Sequence, residues 1–172
     1  MEIQTRLDMY KLCRSGGMGI EIGTAAGYFS NVLLTKSELK MLYSVDAWSS
    51  GSHTDNEYIE AVKLLARHGL RSVILRMWFE NALHLFPDEY FDFIYIDGYA
   101  HTGQDGGKHF NDWWPKLKNG GVFSGHDYDD RWALTKKQVD LFCEKMNKSP
   151  IVVNGHQSEE YSDQFHSWYV IK

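Results

Sequence analysis

The chain has 172 residues, 43% of them hydrophobic and 24% charged, with a formal net charge of -5. That is the size and composition of one soluble globular domain with a real core. The absence of any Lys/Arg cluster speaks against a general nucleic-acid binder. No run approaches the ~18 apolar residues of a membrane span, and Met1–Arg6 lacks the basic-then-apolar order of a signal peptide. Cys13 and Cys143 form neither a CxxC pair nor a metal-finger spacing, so both are expected as reduced thiols of a cytoplasmic chain.

Residues 2–13 place Ile3, Leu7, Met9, Tyr10 and Leu12 on a helical stripe that stops at Ser15-Gly16-Gly17. Met18–Ile22 reads as a strand and breaks into Gly23-Thr24-Ala25-Ala26-Gly27, with a helix over Tyr28–Lys36. A strand at Met41–Val45, a helix at Asn56–His68, a strand at Ser72–Arg76 and a short helix at Glu80–Phe86 follow. Phe91–Ile96 is the strongest strand. Lys108–Leu117 suits a helix, Asn119-Gly120 a turn, Gly121–Ser124 a strand and Thr135–Met146 a helix. Ile151–Val153 and Ser167–Ile171, joined by a polar stretch, are expected to pair as an antiparallel hairpin. Strand–helix alternation at this spacing gives βαβ units, hence an α/β fold with a mostly parallel sheet covered on both faces. Ligands of such sheets sit beyond the carboxyl ends of the strands. The chemistry is therefore expected just after Ile22, Val45, Arg76, Ile96 and Ser124.

The first of these ends carries Glu21 before Gly23 and Gly27. The glycines allow a sharp turn and a close backbone approach, and the following helix start offers unpaired N–H groups. The spacing is not the GxGxxG of dinucleotide sites, and a carboxylate there repels phosphate and attracts an ammonium. Asp46 follows Gly27 by 19 residues, about the interval at which a carboxylate reaches a ribose in βαβ nucleoside sites. Trp48 offers a face to adenine, or fills the core. Asp97, His101, His126 and Asp127 gather at the fourth and fifth strand ends, with the chemistry of a divalent-cation site or of acid–base work. Asp129-Asp130 reads as a solvated loop pair, and the loop Gly103–Gly107 as an unusually free one.

These residues together make the chain resemble the class I S-adenosylmethionine-dependent methyltransferases. Within them it is similar to the sugar and small-molecule O-methyltransferases of the macrocin O-methyltransferase type. The matching blocks are Gly19-Ile20-Glu21-Ile22-Gly23-Thr24-Ala25-Ala26-Gly27-Tyr28-Phe29-Ser30, Ser44-Val45-Asp46, Phe91–Gly98, His101-Thr102, Trp113–Gly121 and Gly125-His126-Asp127-Tyr128. The resemblance implies a Rossmann-like three-layer sandwich with a seven-stranded sheet ending in the reversed hairpin. It also implies a cofactor site of Glu21, Gly23, Thr24, Ala25, Gly27, Asp46, Ala47, Trp48, Phe79 and Asp97. In that site Glu21 and Gly23 border the methionine part, Asp46 the ribose, Trp78-Phe79-Glu80 the adenine and Asp97 the sulfonium. Relatives often hold a divalent metal such as magnesium through residues corresponding to Asp97 and the His126-Asp127 pair. This chain departs from several of them in having Tyr99 in place of a second carboxylate and His126 in place of an Asp.

The reaction so implied moves a methyl group from a sulfonium to a hydroxyl oxygen in line, which makes alignment the main contribution. The proton must leave as the bond forms, and a positioned base is worth about 10²–10⁴-fold. His101 or His126 is the expected base, with Asp97 orienting it or, with Asp127, holding metal. Trp48, Trp78, Tyr99, Tyr128 and Trp132 are either core aromatics or faces for an acceptor ring. The expected partner is a small-molecule or glycan acceptor, with no nucleic acid and no membrane. A phenol or catechol acceptor, or a cofactor-binding domain without catalysis, is the alternative. The expectation is one domain over residues 1–172, of a size that also suits a unit cut from a longer polypeptide, for example beside a glycosyltransferase, or one acting as a homo-oligomer.

Overall fold

The computed structural model describes residues 2–49, 53–157 and 162–172. Its main strands are β1 (Met18–Ile22), β2 (Met41–Asp46), β3 (Ser72–Arg76), β4 (Phe91–Ile96), β5 (Leu117–Gly125), β6 (Ile151–Val153) and β9 (Ser167–Ile171). They form one sheet in the order β3-β2-β1-β4-β5-β9-β6, and β7 (His156–Gln157) and β8 (Ser162–Asp163) form a separate two-stranded ladder. β1 to β5 pair in parallel, whereas β9 runs antiparallel to both β5 and β6. The expected terminal hairpin is therefore present, with its last strand inserted beside β5.

Helices α1 (Tyr28–Lys36), α2 (Asp55–Leu65), α3 (Phe79–Leu83), α5 (Lys108–Trp113) and α6 (Ala133–Lys145) cover the sheet, with a short turn α4 (Gly103–Gly106) between α3 and α5. β4 is buried at all six positions, as a central strand covered on both faces must be. From Phe93 on, its side chains alternate between two cores. Ile94 and Ile96 join Ile20, Ile22, Phe110, Trp113, Phe123 and Trp168. Phe93 and Tyr95 join Met9, Phe29, Leu33 and Leu42 on the other face.

The departures from expectation have local causes. Residues expected as an N-terminal α-helix form a 3-10 helix over Arg6–Leu12. The segment is pinned at its start, where Thr5 bridges to Asn154 and the Asp8 carboxylate accepts from the Gln4 and Thr5 N–H groups. α5 stops at Trp113 because Pro115 has no N–H to continue it, and Trp114–Lys116 tightens to 3-10. β5 begins at Leu117, earlier than the apolar run suggests, and absorbs Gly120 through a register shift opposite Phe91 and Phe93. The Gly103–Gly107 loop is not free. All five of its residues have positive φ, and Gly103 and Gln104 are buried. Gly103 and Gly107 pack on Leu134 and Gln138 of α6.

Candidate active site

The loops after β1 to β5 enclose a cavity of about 640 Å³. Four non-glycine residues on these loops, Ala25, Trp48, Tyr99 and Asp127, have left-handed backbones, one at each end of β1, β2, β4 and β5. Side-chain-bearing residues pay for that conformation, and it persists where surrounding bonds impose it.

At the β1–β2 side those bonds converge on Asp46. Its Oδ2 accepts from the N–H of Thr24 (3.1 Å) and Ala25 (3.0 Å), and its Oδ1 from the N–H of Trp48 (3.0 Å). A carboxylate has about four lone-pair sites, so Asp46 chiefly fixes the loop and keeps room for about one further donor. Gly23, at φ +94°, lies so close to the Asp97 carbonyl that a Cβ would collide with it. This contact welds the β1 loop to the end of β4, where Asp97 N–H donates to the Ile22 carbonyl at 2.7 Å.

Glu21 is 1% exposed and accepts a bond from the Ser30 hydroxyl, which in turn lies 2.6 Å from Ser44 Oγ. Burial pushes its carboxyl up to about 8, against the opposing pull of Arg6 and Ser30. Arg6 is the site residue that sequence reasoning missed. Its N–H donates to the Asn154 carbonyl at 3.3 Å, which lays the N-terminal segment over the sheet end. Its guanidinium is 4.3 Å from the Phe29 ring centroid and 4.9 Å from that of Tyr95. Nη2 is 2.5 Å from Asp97 Oδ2 and 3.8 Å from Glu21 Oε1. One arginine on an otherwise apolar stripe carries no local signal, because its partner is 91 residues away.

Across the cavity, His126 is buried with Nδ1 at 3.0 Å from Asp127 Oδ1 and 3.3 Å from Asp97 Oδ1. Burial, reinforced by Asp97 and opposed by His126, raises the Asp127 carboxyl above the ordinary range. The ligand-type atoms of Asp97, His126 and Asp127 all lie within 4.8 Å of one another. With metal–oxygen and metal–nitrogen bonds of about 2.0–2.3 Å, one divalent ion fits such a set by donor type and span.

Glu21, Gly23, Thr24, Ala25, Asp46, Ala47, Phe79, Asp97, His101 and Asp127 thus share one cavity wall with Arg6. Three expected residues do not line it. Trp48 is a correction: only 2% exposed, it packs on Tyr58 and donates its indole N–H to the Ala25 carbonyl, so it braces the loop from behind and offers no face to adenine. Gly27 sits at the start of α1 against Ala61 of α2, a packing position. His126 reaches the cavity through its two carboxylates, and it is His126 rather than the exposed His101 whose ring nitrogen faces Asp97. Among the other aromatics, Tyr99 lines the cavity and stacks on His109, while Tyr128 is tied to Asp140 on α6. Asp130 is exposed as expected, whereas Asp129 is half-buried and holds Arg131. At the outer end His101 meets Trp132 edge-on at 4.8 Å, and Phe165 backs Trp132 at 5.6 Å.

Residues 20–128 match the model of a family described as a methyltransferase domain. The chain belongs to this family. Among solved structures it is similar to an O-methyltransferase from Bacillus cereus in complex with SAH, at 18% identity and a TM-score of 0.69, covering 97% of this chain and 78% of that one. An rRNA methylase from Streptococcus thermophilus matches at 14% identity and a TM-score of 0.64, covering 100% and 99%. The spermidine synthase from Thermotoga maritima matches at 17% and 0.70, covering 98% and 57%. No curated protein sequence matches the chain. The protein is accordingly an S-adenosylmethionine-dependent methyltransferase with a Rossmann-like sheet. Among the described residues no helix is long and apolar enough to cross a membrane.

Proposed function

We propose that the protein methylates a hydroxyl group of a small-molecule or glycan-type acceptor. The observation that carries this reading is the continuity of one cavity, from the Gly23–Ala25 turn and Asp46 past Asp97 to Asp127, His101 and Trp132. The inner part suits the nucleoside and amino-acid ends of S-adenosylmethionine, whose sulfonium supplies the methyl group. Asp46 offers an acceptor to a ribose hydroxyl, Glu21 an anion to an ammonium, and Phe79 with Tyr99 an aromatic edge beside the base.

Asp97 stands at the junction of the two parts. It orients His126, and the His126–Asp127 pair takes the hydroxyl proton as the oxygen–carbon bond forms and the carbon–sulfur bond breaks. Geometry favours this pair over the exposed His101: His126 Nδ1 stands 3.3 Å from Asp97 Oδ1 and 3.0 Å from Asp127 Oδ1. His101 and Trp132 form the outer wall on which an acceptor ring rests. Asp97, His126 and Asp127 are also the residues that would hold a divalent ion, which would polarise the hydroxyl.

The acceptor class rests on charge and shape. The cavity wall is acidic and aromatic, the chain carries a net charge of -5, and a polyphosphate strand would meet repulsion at Asp97 and Asp127. The test is transfer of a labelled methyl group from S-adenosylmethionine to panels of glycosides, catechols and ribosomal RNA, each with EDTA and with added magnesium. Label in glycosides supports the reading, and label in catechols moves it to the phenolic class. Label confined to RNA overturns it, a result that the likeness to rRNA methylases makes worth seeking.

A further inference from the structure

We propose that a shallow depression between the start of α1 and the exposed side of α2 is a second subsite, which takes an oxyanion, phosphate or carboxylate, carried by the acceptor outside the cavity. The inference rests on the hydroxyl-methylation reading above and deepens it by naming a charged class of acceptor.

Four observations carry it. First, the depression, of about 300 Å³, shares Ala26 and Tyr28 with the main cavity, so the two spaces adjoin there. Its other side is formed by α2 and the 3-10 helix Ala66–Arg71 that continues it, and includes Lys63 and Arg67. Second, Lys63 and Arg67 are exposed and four residues apart, hence on one side of the helix. Among the described residues neither is in a hydrogen bond or an ion pair. By contrast, Arg71 holds three carbonyls, Arg76 holds Asp55 and Lys116 holds Asp88. Third, the field beside them is positive: burial first, then Arg71 and Arg67, lowers the pKa of the neighbouring His68. Fourth, the cavity cannot serve an anion itself. Among the described residues that line the cavity, Arg6 is the one arginine or lysine. Its Nη2 is held by Asp97 Oδ2 at 2.5 Å.

These conditions divide the acceptor in two. Its hydroxyl part lies at the acidic wall, beside Asp97 and Asp127, where a phosphate or carboxylate would be repelled. The anionic group therefore belongs farther out, across the cavity mouth and past Tyr28. That tyrosine is 56% exposed and offers its ring to a sugar in between. Lys63 supplies a point charge, and the Arg67 guanidinium a planar fork that matches two oxygens of one oxyanion. Glu60 lines the same depression and opposes the anion. Because both cations are exposed, solvent and salt screen them, and each is worth about two- to fivefold in affinity.

The test has a binding arm and a transfer arm. Inorganic phosphate and acetate are titrated into the isotope-labelled protein, with ionic strength held constant by sodium chloride, and the amide resonances are followed. Saturable shifts at Ala26, Tyr28, Lys63 and Arg67 are expected, and chloride alone should not produce them. Lys63→Gln combined with Arg67→Gln is expected to weaken phosphate binding by about 4- to 25-fold. Glu60→Gln is expected to strengthen it by about two- to fivefold, a gain that a misfolded variant cannot give. In the transfer arm, labelled methyl from S-adenosylmethionine is offered to neutral oligosaccharides and to their uronic-acid and phosphorylated counterparts. The anionic-to-neutral ratio of kcat/KM is expected to exceed one in the wild type and to fall in the double variant by the factor seen for phosphate. The uronic-acid and phosphorylated members tell carboxylate from phosphate. Shifts that are absent, equal with chloride, or unchanged in the double variant overturn the subsite. Phosphate shifts with a ratio at or below one overturn its use by the acceptor. Label in no hydroxyl acceptor overturns the methylation reading itself, whereas the phosphate shifts still decide whether the oxyanion subsite exists.

Discussion

The two halves of the cavity are built by different means. Around β1 and β2 the wall is backbone: Gly23 against the Asp97 carbonyl, and three N–H groups gathered on Asp46. Around β4 and β5 it is side chain: Asp97 between Arg6 and His126, Asp127 beside His126, and Trp132 edge-on to His101. On the proposed reading the backbone half holds the cofactor, an invariant ligand, with little freedom to vary. The side-chain half carries adjustable charge and shape, as the proposed acceptor binding and proton transfer require. Substitutions in the two halves should therefore fail differently.

The largest effect is expected at the junction. Asp97→Asn should lower kcat by about 10²–10⁴-fold, because it removes the group that orients the base, while S-adenosylhomocysteine binding persists. Single-turnover transfer beside calorimetry separates the two. In the backbone half, Gly23→Ala should destabilise the fold by about 2–4 kcal/mol, from a left-handed alanine and an overpacked contact, and should abolish cofactor binding. Thermal unfolding measures it, and an unchanged Tm would break the contrast. Asp46→Ala orphans backbone N–H groups and should cost about 1–3 kcal/mol, with Asp46→Asn milder because one acceptor oxygen is kept.

A pH titration sharpens the comparison further. Glu21, pushed up to about 8, keeps its proton in the folded free protein at pH values where the unfolded chain has lost it. Its contribution to stability is therefore full below the ordinary carboxylate pKa and fades as pH rises through about 8, the reverse of a salt-bridged Asp. Binding an ammonium favours the ionised form and releases a proton. S-adenosylmethionine affinity should accordingly rise from pH 6 to pH 8, by at most about tenfold per unit, and Glu21→Gln should flatten the profile. The smallest effect is expected at the rim, where Trp132→Ala should raise the acceptor KM up to about tenfold and leave the cofactor Kd unchanged.

The same contrast explains what could be read from the chain alone. The β1 turn was legible because glycine spacing and a carboxylate at a fixed interval are local, and the parallel order follows from strand–helix alternation. Asp97, Asp127 and His126 were legible as strand-end residues. Arg6 was not, since its role depends on Asn154 and Asp97, and no periodicity links them. Trp48 was misassigned for a related reason: a tryptophan next to a ribose-type carboxylate has the right chemistry, but its left-handed backbone turns the ring behind the loop. The Gly103–Gly107 segment misled in the opposite direction. Its glycines serve a tight left-handed turn packed on α6, rather than freedom.

The most direct test of the account is a calorimetric titration of the wild type with S-adenosylmethionine, with NAD as a control on the same sheet architecture. Saturable one-site binding of S-adenosylmethionine, none of NAD, and loss of the signal in Gly23→Ala are the predicted result. Absence of S-adenosylmethionine binding with or without magnesium, or equal binding of NAD, would contradict it.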